Sequence, residues 1–207
     1  MTAARRGVGL VLAAPSGAGK SSIARSLRAL DPAVTLSVSV TTRAPRAGEQ
    51  EGVHYLFRSQ PQFDELVRRG ELLESATVFG RCYGTPRAPV EDALAHGRDI
   101  VFDIDWQGHR HLRAALPDDI VGVFILPPAL AELEARLRAR GDDAAAVARR
   151  MALAREEILH CREFDHIVVN ADLNEAIAEV HAILRAARLA TRRQIWLKRY
   201  LDDTGSR

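Results

Sequence analysis

The stretch Val8-Gly9-Leu10-Val11-Leu12-Ala13-Ala14-Pro15-Ser16-Gly17-Ala18-Gly19-Lys20-Ser21 decides the fold. Its first six residues are almost wholly apolar and are bounded by Pro15 and Gly17, the pattern of a strand buried on both faces of a parallel sheet. Residues 14 to 21 match GxxxxGK[ST] at every defined position except the first, where Ala14 replaces glycine. Ile23, Leu27 and Leu30 then follow at helical spacing, so a helix is expected over Ser22 to Leu30. A loop between such a strand and helix can converge its amides and the helix N-terminus on phosphate oxygens. Within it Lys20 would reach the β and γ phosphates, and the Ser21 hydroxyl would ligate magnesium. A glycine-rich turn without a ligand is the bland alternative, and the Lys20-Ser21 pair argues against it. The loop by itself specifies only a nucleoside triphosphate, because kinases, GTPases and motors all use it.

Working outward, Ile100 to Ile104 and Ile120 to Leu126 have the same buried-strand character, and a shorter run, His166 to Val169, closes at Asn170. Helical spacings such as Leu130, Leu133 and Leu137 lie between them, so the alternation predicts βαβ units and an α/β fold. Residues 34 to 86 break this rhythm. They read as strands at Val34 to Val40, Val53 to Phe57 and Leu72 to Phe79 around a helix from Pro61 to Arg69 that Gly70 would close. This predicts a mostly antiparallel insertion with a polar loop at Arg43 to Gly52. A second irregular patch covers Arg138 to Ala146, and beyond Asp172 the apolar spacing predicts one long helix running to Tyr200. The expected organisation is a single domain over 1–207, with a core of 1–36, 87–135 and 151–207, an insertion of 37–86 and a lid of 136–150.

The 207 residues are 47% hydrophobic and 27% charged, which suits one soluble globular domain. A formal net charge of +2 gives no strong pull toward nucleic acid or membranes, so neither is an expected partner. Cys82 and Cys161 match no metal-ligand spacing or dense disulfide framework and read as reduced thiols. Arg5-Arg6 before the apolar residues 8–14 superficially resembles a secretory leader, but cleavage there would destroy the phosphate loop. A cytoplasmic protein is expected.

Asp103 ends an apolar strand where a carboxylate can organise magnesium next to Ser21, and Asp105 alternates with it on the same face. Two acids at a buried strand end imply two different tasks. Arg43 and Arg46 lie three apart on a loop and could clamp a phosphate dianion with their planar forks. A solvated charged turn is the alternative if that segment stands alone.

Ser37-Val38-Ser39-Val40-Thr41-Thr42-Arg43-Ala44-Pro45-Arg46-Ala47-Gly48-Glu49, followed by Gly52 and Tyr55, resembles the GMP-binding segment of guanylate kinases. So does Asp103-Ile104-Asp105-Trp106-Gln107-Gly108. With the phosphate loop, Tyr83-Gly84-Thr85, and Arg140-Gly141 ahead of Arg150, the likeness extends from about residue 8 to about residue 190. It implies a P-loop nucleotide kinase fold, with a parallel sheet flanked by helices. It also implies purine-nucleotide chemistry, in which the γ-phosphoryl group of ATP passes directly in line to GMP, with Mg2+ as cofactor and dGMP as a further acceptor. ATP is then bound by Ala14, Pro15, Ser16, Gly17, Ala18, Gly19, Lys20, Ser21 and Ser22, with Arg136 and Asn170 beyond the loop. GMP is bound by Ser39, Arg43, Arg46, Tyr55, Glu74, Tyr83, Thr85 and Asp105. Glu74 and Asp105 would accept from guanine N1–H and N2–H while the Ser39 and Thr85 hydroxyls face O6. Ser21 and Asp103 hold the metal, and Lys20, Arg46, Arg140 and Arg150 form the catalytic set.

The sequence departs from that family in two places. Gly141 to Arg149 is about one residue short and carries Ala144 to Ala146 where polar residues are usual, and Ala171-Asp172 replaces a common acidic pair. The basic C-terminal stretch from Arg185 to Arg199 interleaves with Leu189, Ile195 and Trp196, which suits a packing or homo-oligomer helix better than a nucleic-acid arm. Two competing readings share the fold. A phosphopeptide-binding module typically loses the phosphate loop or the lid arginines, whereas Lys20, Ser21, Asp103 and Arg140 are all present. A phosphosugar kinase has no need of a guanine site.

Overall fold

The computed structural model describes residues 4–78, 80–139, 141 and 143–205, the side chain of Val78 excepted. The apolar run at the start becomes β1 (Gly9–Ala13), every residue of which is buried. It lies at the centre of a five-stranded sheet with β2 (Val34–Leu36), β7 (Asp99–Asp103), β8 (Ile120–Leu126) and β9 (His166–Val169), in the order β2-β7-β1-β8-β9. All neighbours in it are parallel. Alternation along β1 separates two cores. Leu10 and Leu12 pack with Ile23 and Leu27 of α1 (Lys20–Leu30), Leu133 of α5 (Leu130–Ala139), Met151 of α6 (Ala144–Leu159) and Leu184 of α7 (Leu173–Leu189). On the other face Val11 and Phe102 pack with Leu94 of α3 (Arg87–Ala95) and Leu112 of α4 (Trp106–Ala115). Helices on both faces of a parallel sheet are the arrangement such buried strands require.

The insertion forms a separate four-stranded sheet, in the order β4-β3-β6-β5. Its strands are β3 (Ser39–Thr41), β4 (Tyr55–Phe57), β5 (Leu72–Val78) and β6 (Arg81–Pro86). It is mostly antiparallel as expected, with β3 and β4 as the parallel pair. The helix α2 (Gln60–Arg68) begins at a capping box in which Ser59 and Gln62 bond reciprocally, with Pro61 in its first turn.

Two expectations fail here. Val34 to Val40 is not one strand of the insertion. Val34–Leu36 pairs with β7 in the core, and the chain crosses at Ser37 and Val38 into the second sheet. The long C-terminal helix is also broken, because Ala190 turns to φ −55°, ψ 132° before a short 3-10 turn at Thr191–Arg193 and α8 (Leu197–Asp203). The break buries Arg193, whose guanidinium donates to Gly7 O at 2.6 Å and Asp119 O at 2.9 Å. The expected strand end at Phe79 lies outside the described residues. Among the described residues no helix is long and apolar enough to cross a membrane.

Candidate active site

The phosphate loop turns on two glycines, Gly17 at φ 100° and Gly19 at φ 97°, in the left-handed region that other residues avoid. A Cβ on Gly19 would also stand 2.3 Å from Asn170 Nδ2. α1 starts at Lys20, two residues ahead of the expected boundary. The Lys20 ammonium donates to Ile104 O at 2.8 Å and lies 2.8 Å from Asp103 Oδ1, while Ser21 Oγ donates to Asp103 Oδ2 at 2.6 Å. Burial pushes the Asp103 carboxyl up, but Lys20, the Ser21 hydroxyl and Arg25 outweigh it and hold the group below its usual range. An ionised carboxylate and a hydroxyl therefore stand side by side, the hard-oxygen donors that magnesium takes together with phosphate and water.

These groups line a cleft of about 470 Å³ with Ala14, Pro15, Ser16, Gly17, Gly19 and Ser22. Ala18 is buried beneath it. Asn170, also buried, donates from Nδ2 to Ala18 O at 2.7 Å, and Arg136 donates to Asn170 O at 3.1 Å. Asn170 thus braces the loop from below. Arg150 on α6 reaches to 3.5 Å from Ser16 Oγ. Arg140 lies outside the described residues.

The insertion supplies two further groups of side chains. On β5 and β6, Thr85 Oγ1 donates to Glu74 Oε1 at 2.7 Å, both residues being buried. Burial pushes the Glu74 carboxyl up to about 7, with the Thr85 hydrogen bond opposing and the Asp105 charge adding to it. In the loop after β3, Arg43 pairs with Glu49 at 2.8 Å and stands 5.2 Å over the Tyr55 ring, which meets Tyr83 edge-on at 6.1 Å. Ser39 opens β3 opposite Tyr55.

A protein with this loop and a second sheet that carries a buried acid invites comparison with known kinases. The guanylate kinase family model matches residues 6–187. The chain belongs to the guanylate kinase family. It is 61% identical over 201 residues to the guanylate kinase of Granulibacter bethesdensis, covering 97% of this chain and 94% of that one. It is 63% identical over 191 residues to that of Gluconobacter oxydans, covering 92% of each. The crystal structure of guanylate kinase from Anaplasma phagocytophilum superposes with a TM-score of 0.80 at 36% identity, over 98% of this chain and 97% of that one. The chain is an ATP:GMP phosphotransferase of the P-loop nucleotide kinase fold.

In this family member the expected pairing of Asp103 and Asp105 on one strand face is corrected. β7 ends at Asp103, and Asp105 is the N-cap of α4, its Oδ1 accepting from Gly108 N at 2.8 Å. An Asp favours that position because it satisfies an orphan helix N–H. Both carboxylates still line the one cleft.

Three side chains at the site carried no expectation. Glu49 accepts from the Arg43 guanidinium and from Arg46 N, and these bonds draw its pKa down to about 2, so one carboxylate fixes both arginine positions. Arg25 lies one helical turn past Ser21 on α1, and Glu157 lies two turns past Arg150 on α6, so helical spacing from a recognised residue is the signal that finds each of them.

Proposed function

We propose that ATP lies on the phosphate loop and GMP against the insertion sheet, and that the γ-phosphoryl group passes between them in one in-line step. The observation that carries this reading is the buried Glu74–Thr85 pair. Thr85 gives its one hydroxyl hydrogen to Glu74 Oε1, and the remaining acceptor capacity of the carboxylate, at a place where a bare charge is costly, calls for a ligand with N–H donors. Guanine is such a ligand. Arg43 and Arg46, held by Glu49, take the acceptor phosphate, with Tyr55 and Tyr83 beside it. Ser39 and Asp105 complete the base contacts.

Ser21 and Asp103 would hold Mg2+, which when bound neutralises charge on the donor phosphates. Lys20 stands ready to leave Asp103 for the same oxygens. Arg140 and Arg150 close from the lid, residues 136–150, and stabilise the charge that develops in transfer. Arg136 and Asn170 support the ATP side. No covalent intermediate is involved, dGMP is also accepted, and the enzyme works in the cytoplasm.

An ADP-release assay with ATP and magnesium, offering GMP, dGMP, AMP, UMP and ribose bisphosphate in parallel, tests the assignment. Release with GMP and dGMP alone is expected, and release with ribose bisphosphate instead would contradict the guanine site.

A further inference from the structure

Glu157 is an acid placed on an anion-binding loop. It lies on α6 and lines the cleft with Ser16, Lys20 and Asp105. Burial pushes its carboxyl above the ordinary range, Lys20 pulls it back, Asp105 adds to the rise, and the Ser16 amide opposes it. Loop amides and a lysine are the donors that phosphate oxygens seek, so a carboxylate and a triphosphate compete for the same place.

The position on α6 gives that competition a consequence. Arg150 and Glu157 are seven residues apart, two helical turns, and so share one face of the helix. Both reach the loop, the guanidinium at 3.5 Å from the Ser16 hydroxyl and the carboxylate lining the cleft beside Ser16 and Lys20. Just past its C-terminus, α6 is fixed to the core, because the His160 ring stacks on Trp106 with 3.5 Å between centroids and Trp106 is the first residue of α4. The middle of α6 is thus held by the loop, and the end by α4.

We propose that Glu157 is a further residue of the ATP site: its carboxylate stands in the phosphate cleft beside Ser16 and Lys20 as an internal anion, and a triphosphate must displace it from there. Displacement frees the Arg150 face of α6 from Ser16 while the His160–Trp106 stack remains as the fixed end. The inference rests on the reading of this cleft as the ATP site. No role for Glu157 follows from the phosphate-loop or GMP-site motifs.

Calorimetric titration with adenylyl imidodiphosphate and magnesium, without GMP, tests it on wild type, Glu157→Gln and Glu157→Ala. Removing the competing charge is expected to tighten binding of the analogue about three- to tenfold. A gain of affinity cannot arise from damaged folding, which a purely structural role would predict. Glu157→Gln decides the matter, because it keeps the shape and loses only the charge; unchanged or weaker binding in it overturns the proposal. If that variant fails to fold, Glu157→Ala is judged by the same criterion. Failure of the wild type to bind the analogue would instead overturn the ATP reading of the cleft.

Discussion

In the proposed guanine site, Glu74 would set a condition on substrate binding. Its carboxyl is raised to about 7, so it is protonated below that pH and ionised above it. On the proposed placement of guanine, only the ionised form would accept from both of its N–H groups, and the KM for GMP is therefore expected to fall about tenfold from pH 6 to pH 8. The phosphate of GMP titrates near 6 as well, so Glu74→Gln serves as the control: it should retain only the phosphate's contribution. A wild-type profile as flat as the variant's would remove Glu74 from the base site. Arg43→Ala should raise the KM for GMP with little change in the KM for ATP, because the guanidinium sits in the insertion loop on Glu49 and Tyr55. An effect confined to ATP would contradict that placement. Residues of this kind were legible where a motif carried them, as with Lys20, Ser21 and Asp103. Glu157 was hidden because nothing local marks a helix acid that a distant loop will meet.

At the scale of elements, the strand–loop–helix unit depends on backbone shape. Gly19→Ala would place a methyl at φ 97° and 2.3 Å from Asn170 Nδ2, the group that braces Ala18 O. It should weaken ATP binding about tenfold or more and lower stability by about 1–3 kcal/mol, read by calorimetry and denaturant melts; wild-type values for both would show that the brace is dispensable. In α6, Arg150→Ala should lower kcat by about 10²- to 10³-fold while the KM for GMP moves less than about threefold, as for a group that acts in the transition state. A loss expressed mainly in KM would place Arg150 in ground-state binding. The core strands were readable because parallel strands buried on both faces are continuously apolar, and β1 is buried at every position. The crossing at Ser37 and Val38 was not, since neither glycine nor proline marks it and only pairing with β7 and β6 separates β2 from β3. The break after Leu189 escaped for a related reason. Helical spacing continues through it, while a buried Arg193 tied to Gly7 and Asp119 carbonyls turns the chain.

For the whole molecule, the loop stands at the C-terminal end of the central strand of one sheet, and the acid–hydroxyl pair belongs to a second sheet inserted between β2 and β7. On the proposed reading, such a division would let each substrate bind a separate unit and would let water be excluded when the units meet. The α/β class, the parallel core and the insertion were all legible from apolar runs and their interruption. The bond from Thr85 to Glu74 was not, because it depends on the pairing of β5 with β6. The central claim is that this pair of units forms one transfer site that recognises guanine. Steady-state kcat/KM for GMP and for AMP, measured with ATP and magnesium on wild type and Glu74→Ala, tests it most directly. The account predicts a preference for GMP of about 10³-fold or more in wild type, largely lost in the variant. Comparable turnover of AMP and GMP by the wild type, or a preference untouched by the substitution, would contradict it.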